Sequence, residues 1–185
     1  AFPSREGRAQ GRWVRGRSGG AGRADWAESI APTYRALELG VTFIDTADVY
    51  GSGHNEVLVG RAIHDRREKV QLATKFGIDR SSGDGARQIR GDAAYVRAAC
   101  DASLLRLGVD GIDPYYMHRP ARNVEIQETV ETTAALLQPG NARNPALSEA
   151  TEELLLRGHR VPTLTPFLCE SYRWTRNPYP PVLHP

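Results

Sequence analysis

Short apolar runs alternate along the chain with longer segments whose apolar residues recur at helical spacing. Three runs have the length of a strand and are nearly continuous: VTFIDT (41–46), KVQLATKF (69–76) and GIDPYYMH (111–118). Runs of this kind are typical of strands buried on both faces of a parallel sheet. Helical spacing is found in segments 25–39, 55–67, 92–108 and 124–137. The alternation predicts an α/β fold with a parallel sheet.

Punctuating residues refine these elements. Asp25 and Glu28 resemble a capping box, and Gly40 would end the first helix, which Pro32 should weaken or kink. Gly108 would end the helix at 92–108, and Pro114 should interrupt the third strand by removing one hydrogen bond.

The pattern weakens elsewhere. Residues 79–91 have the composition of a polar loop. After Gly140 a short strand at 146–148, a helix at 151–159 and a strand at 163–170, interrupted by Pro166, are predicted.

The first 24 residues differ in composition from the rest. They are rich in Gly and Arg, have no apolar period, and cannot bury enough surface to offset the entropy of the chain. We therefore expect two regions, a disordered arm at 1–24 and a folded domain at 25–185. A second interpretation of the arginines is nucleic-acid binding, which would depend on salt. The net charge of +2 gives no general reason to expect a nucleic-acid partner.

Cysteine content and hydropathy indicate the cellular setting. The two cysteines, Cys100 and Cys169, show neither metal-ligand spacing nor a disulfide framework, so buried thiols and a reducing, cytoplasmic setting are expected. No apolar run approaches the roughly 20 residues of a spanning helix, and the N-terminus lacks the apolar core of a secretory signal. We expect no membrane association and no metal site.

Residues capable of chemistry follow the three clear strands. Asp45 lies at the end of the first strand and Tyr50 in the loop after it, while Lys75 and His118 end the second and third strands. The carboxyl ends of parallel strands carry the active site in α/β barrels and in open α/β sheets. We therefore expect these four side chains, called the tetrad below, to converge on one patch.

The tetrad is suited to proton transfer. Tyrosine, with an ordinary pKa near 10, is a poor acid at neutral pH, but an adjacent ammonium favours its phenolate and eases proton donation. A carboxylate would hold that ammonium in place, and a histidine could hydrogen-bond a substrate carbonyl. Each residue alone has an ordinary alternative: a surface aromatic, a solvated lysine, a loop histidine or a turn-capping aspartate. Their order and spacing favour the joint interpretation.

The same segments resemble the aldo-keto reductase family. FIDTADVYGSGHNE (43–56) resembles its signature, with Asp45 and Tyr50 five residues apart, and LATKFG (72–77) and IDPYYMHRP (112–120) resemble the strands that bear the catalytic lysine and histidine. LSEATEELLLRGHR (147–160) resembles the segment in which a serine, here Ser148, contacts the nicotinamide. The resemblance covers residues 26–176.

This resemblance implies a (β/α)8 barrel that reduces aldehydes or ketones with hydride from NADPH. Tyr50 would be the general acid, Lys75 and Asp45 would tune it, His118 would orient the carbonyl, and Asp45 and Ser148 would contact the cofactor. Compared with the family, this chain lacks a clear first strand, has 138–146 in place of the usual fifth strand, and lacks the last two strand–helix units. The fold expected is therefore a partial barrel.

Those last units carry the NADPH phosphate-binding residues in the family. Weak or no affinity for NADPH is therefore expected of this chain, as a truncated form whose activity is in doubt. An alternative function is a non-catalytic fragment or interaction module that pairs with another chain through open sheet edges. It predicts a stable homodimer without turnover. Substrate identity and oligomeric state stay open.

Overall fold

A computed structural model gives the fold of the chain. It describes residues 26–81, 87–136, 142–148 and 167–168. The predicted arm at 1–24, the helix at 151–159 and Cys169 lie outside these residues. So do Asp25 and the tail after residue 168.

Four α-helices and seven strands form the described part. The helices are α1 (Trp26–Glu38), α2 (His54–Ile63), α3 (Ala93–Leu107) and α4 (Ile126–Ala135), and a 3-10 turn spans Arg67–Lys69. The strands are β1 (Phe43–Asp45), β2 (Gln71–Phe76), β3 (Ile78–Asp79), β4 (Gln88–Ile89), β5 (Ile112–Met117), β6 (Ala142–Ser148) and β7 (Phe167–Leu168).

Five of the strands form one parallel sheet in the order β1-β2-β5-β6-β7. Helices α2, α3 and α4 each lie between two successive strands of this sheet in the sequence, as parallel pairing requires. The expectation of a partial α/β barrel with a parallel sheet is confirmed. None of the helices in the described ranges is both long enough and apolar enough to cross a membrane.

The two central strands explain why continuous apolar runs mark this fold. All six residues of β5, and five of the six in β2, are buried. Phe76 and Tyr115 meet across the pair with ring centroids 4.6 Å apart, and they belong to the main core beneath the helices. Because residues on both faces of these two strands are buried, each strand appears in the sequence as a nearly continuous apolar run.

Helix α3 shows how local signals set an element's ends. The Asp92 side chain accepts a hydrogen bond from the Tyr95 backbone N–H at 3.1 Å and caps the first turn. Gly108 ends the helix at φ 66°, where its N–H donates to the Leu104 carbonyl. Both ends agree with the predicted helix at 92–108.

Three predictions about irregular segments were wrong. Pro114 does not interrupt β5, which continues through it because β2 and β6 pair with the strand on both sides. Segment 138–146 contains most of a strand, since β6 begins at Ala142 and pairs with β5. The supposed loop at 79–91 forms part of an antiparallel hairpin, in which Ile78 pairs with Ile89.

Helix α1, at Trp26–Glu38, contains Pro32 and agrees with the predicted helix at 25–39. That Pro32 weakens or kinks this helix stays a prediction. Strand β7, at Phe167–Leu168, lies within the strand predicted at 163–170, whose other residues lie outside the described part of the chain.

Candidate active site

The strand ends that carry the predicted chemistry meet at one edge of the sheet. Asp45 is the last residue of β1 and pairs with Ala73 of β2. Lys75 of β2 pairs with Tyr116 of β5, and His118 follows the end of β5 directly. The parallel register therefore brings three tetrad residues to the carboxyl edge.

The side chains of the tetrad come together there. The Lys75 ammonium forms an ion pair with the Asp45 carboxylate and donates to the Thr46 carbonyl at 3.1 Å. The same nitrogen lies 5.7 Å from the centroid of the Tyr50 ring. The Tyr50 and His118 rings meet edge to face, with centroids 5.9 Å apart and an angle of 89° between their planes. The four groups thus form one contiguous cluster, as the sequence predicts.

Burial strengthens the charge interactions in this cluster. The Lys75 side chain is 4% exposed and its Asp45 partner 14%. Attraction between opposite charges grows as water is excluded, so the carboxylate holds the lysine both charged and in place. Burial, and next the nearby Asp45 charge, raise the pKa of Tyr116 to about 12. Tyr116 is therefore neutral at physiological pH.

A tight turn holds Tyr50 over the lysine. The Asp48 N–H donates to the Lys75 carbonyl at 3.0 Å, and the Tyr50 carbonyl accepts from the Asn55 N–H at 3.3 Å. Between them the backbone passes through three left-handed residues, Gly51, Ser52 and Gly53, with φ of 57°, 53° and 88°. Glycine adopts this conformation without the steric cost of a Cβ, which explains the glycines at 51 and 53, while Ser52 adopts it in spite of its Cβ.

Several residues that support the site were not predicted. The Thr46 hydroxyl donates to Asn55 Oδ1 at 2.7 Å, which joins the end of β1 to the start of α2. The carboxylate of Glu56 is fully buried beside this contact. Glu56 lies in the first turn of α2, where an acidic residue is common, so its burial has no distinctive sequence signal.

The donor set at this edge fits the nicotinamide end of a dinucleotide. In the β5–β6 register Met117 pairs with Leu147, so His118 and Ser148 come next on adjacent strands. A backbone group at this position could bond a carboxamide at the same edge as the imidazole and the buried Lys75–Asp45 pair. In the described ranges His, Cys, Asp and Glu side chains form no group of three or more that could hold a metal ion.

Comparison with known proteins identifies the family of the chain. The sequence model of the aldo/keto reductase family matches residues 11–160. Over 151 residues the chain is 44% identical to Probable aldo-keto reductase 1 of Glycine max, a match covering 81% of this chain and 43% of that protein.

Two solved structures extend the likeness to the fold. The holo form of an aldo-keto reductase from Bacillus halodurans superimposes with a TM-score of 0.78 and 30% identity, over 83% of this chain and 52% of that one. An aldo-keto reductase from Klebsiella pneumoniae in complex with NADPH gives 0.64 and 28%, over 78% and 47%. The chain thus spans about half the length of these relatives. Because the sequence model of the family matches most of this chain, the chain belongs to the aldo/keto reductase family.

Proposed function

We propose that the tetrad reduces an aldehyde or ketone, with NADPH as the hydride donor. When bound, NADPH supplies the hydride that reaches the carbonyl carbon. The Tyr50 hydroxyl donates its proton to the carbonyl oxygen and becomes a phenolate, which the Lys75 ammonium stabilises. Asp45 holds Lys75, and His118 donates a hydrogen bond that orients the carbonyl. Water then returns a proton to Tyr50.

The observation that carries this proposal is the closeness of Tyr50 to both a cation and an imidazole. Its ring centroid lies 5.7 Å from the Lys75 ammonium and 5.9 Å from the centroid of His118. A cation near the phenol favours the phenolate, which lowers the cost of donating the proton. The nearby imidazole supplies a second donor for the same carbonyl oxygen.

The proposal extends to the cofactor through Asp45 and Ser148. Both lie at the carboxyl edge of the sheet, and a relative of 28% identity was solved in complex with NADPH. Because the chain spans about half of its relatives, we expect affinity weaker than micromolar. Isothermal titration of NADPH into the chain measures it, and micromolar binding would contradict this expectation. A cytoplasmic location is part of the proposal, supported by the buried Cys100 thiol.

The test compares turnover in two tyrosine variants, with NADPH and an aromatic aldehyde at millimolar concentration. Turnover is measured as the loss of nicotinamide absorbance. Tyr50→Phe removes the proposed acid, and we expect kcat to fall by about 100-fold or more. The control is Tyr34→Phe, on α1, where the ring packs under Arg66 away from the site. Equal turnover in the Tyr50→Phe and wild-type chains would contradict the proposal. So would a folded chain without any turnover.

The alternative function, an interaction module without catalysis, stays a prediction. It predicts that light scattering shows a stable dimer and that the absorbance assay described above shows no turnover. A monomer that turns over the aldehyde would exclude it.

A further inference from the structure

Glu56 joins three elements through a carboxylate that water does not reach. The residue is 0% exposed and belongs to α2. Its Oε1 accepts from the Thr74 hydroxyl of β2 at 2.7 Å. Its Oε2 accepts from Arg106 Nε of α3 at 2.6 Å, and Arg106 also donates to the Ser103 hydroxyl at 3.2 Å. A buried carboxylate is stable only when it is paired and hydrogen-bonded, so the loss of any of these contacts should destabilise this region.

Glu56 joins the strand that carries Lys75 to the helix that directly follows the Tyr50 turn. Thr74 directly precedes Lys75 in β2. Asn55, directly before Glu56, donates its N–H to the Tyr50 carbonyl at 3.3 Å. A single side chain therefore connects the strand of the lysine to the turn of the tyrosine.

Arg106 also packs against the turn itself. A Cβ on Gly53 would lie 2.6 Å from Arg106 Cδ and 2.8 Å from its Nε, so the arginine occupies space that only glycine leaves. A second close approach of α2 to α3 lies at Gly60, where a Cβ would lie 2.1 Å from the Leu107 carbonyl oxygen. Contact at both glycines fixes how α2 lies on α3, and with it the start of α2 next to Tyr50.

We infer that Glu56 and Arg106 are positioning residues that hold the Tyr50 turn against the Lys75 strand. This inference rests on the proposed function, because it concerns how the acid meets its tuning cation. The pair touches neither substrate nor cofactor and acts only through the turn. Weakening the Glu56–Arg106 pair should let the Tyr50 phenol move away from the Lys75 ammonium. The ionisation of Tyr50 would then change even in a chain that stays folded.

The experiment follows Tyr50 ionisation by NMR of the full chain labelled with ¹³C at tyrosine Cζ, without cofactor. The Tyr50 resonance is assigned by its absence in Tyr50→Phe. Lys75→Met sets the reference, and its pH midpoint for Tyr50 should rise by about one unit or more as the cation is lost. Glu56→Gln, which keeps the shape but loses the ion pair, should shift the midpoint in the same direction by at least half as much.

Two further variants separate positioning from general stability. The matched control is Asp113→Asn. The Asp113 carboxylate is also buried and bonded to an arginine, Arg67, but it lies near the start of β5, at the opposite end of the sheet from the tetrad. This variant should leave the Tyr50 midpoint unchanged. If Glu56→Gln does not fold, Thr74→Val keeps the ion pair but removes the bond to β2, and a smaller rise is expected.

The outcomes distinguish the two claims. If Lys75→Met raises the midpoint while Glu56→Gln and Thr74→Val leave it at the wild-type value, the positioning role is overturned and the proposed function stands. A shift of equal size in Asp113→Asn also overturns positioning, because it would reflect lost stability alone. If Lys75→Met itself has no effect, the proposed tuning of the acid fails.

Discussion

Asp48 places an ionisable carboxyl group inside the turn that carries Tyr50, and this makes the stability of the chain depend on pH. Burial, and next the charge of Glu56, raise the pKa of Asp48 from its ordinary 3.8 to about 7, although Arg106 acts in the opposite direction. Its Oδ1 atom is buried and makes no hydrogen bond with any described residue. The charged form is therefore less stable in the folded chain than in the unfolded one.

The sign and size follow from proton linkage. Between the two pKa values the folded chain holds a proton that the unfolded chain has released, so the free energy of unfolding falls as pH rises through this window. The two values differ by about three, and each pKa unit corresponds to about 1.36 kcal/mol, which gives up to about 4 kcal/mol. A cavity of about 510 Å³ adjoins Asp48 and gives it some access to water, so a smaller value is expected.

Asp48→Asn has nearly the same shape and does not ionise. At about pH 8 we expect this variant to be more stable than the wild type by about 2 to 4 kcal/mol, and at about pH 4 the difference should nearly vanish. Urea unfolding followed by circular dichroism over this range measures both. Asp110→Asn, at an exposed carboxyl, is the control and should show no such trend. A constant difference between Asp48→Asn and wild type at all pH values would refute the linkage.

Three further predictions concern packing and burial. Gly60→Ala should cost about 2 kcal/mol or more, because the new Cβ would lie 2.1 Å from the carbonyl oxygen of the last residue of α3; an unchanged urea midpoint would contradict this. Burial raises the pKa of the Cys100 thiol to about 12, so in a Cys169→Ser background a disulfide reagent should react only after unfolding, and rapid labelling of the folded chain would disprove it. Asp113→Ala should cost about 3 kcal/mol by thermal or urea unfolding, because it leaves the partly buried Arg67 without its 2.9 Å partner, and a loss below about 1 kcal/mol would count against that role.

The strands and the convergence of the tetrad could be predicted because both depend on local pattern and parallel pairing. Once three apolar runs are placed side by side, Asp45, Lys75 and His118 must reach one edge. The ends of α3 were predictable for a similar reason, since Asp92 and Gly108 act within one helical turn.

Other features depend on contacts between distant parts of the chain. Glu56 and Arg106 are fifty residues apart, and neither has a local signal for its partner. The β3–β4 hairpin has two residues in each strand, too few to show a period. Pro114 is accepted because its strand pairs on both sides, which the sequence alone does not reveal.

Hydride transfer itself is the most direct test of the central claim that the tetrad is a carbonyl-reducing site. The chain is incubated with an aldehyde and NADPH deuterated at the transferable position of the nicotinamide, and the alcohol is analysed by mass spectrometry. With the wild-type chain we predict deuterium on the former carbonyl carbon of the alcohol. With Tyr50→Phe we predict an alcohol yield that is lower by a factor of about 100 or more. An alcohol without deuterium, or the same yield from both chains, would contradict the account.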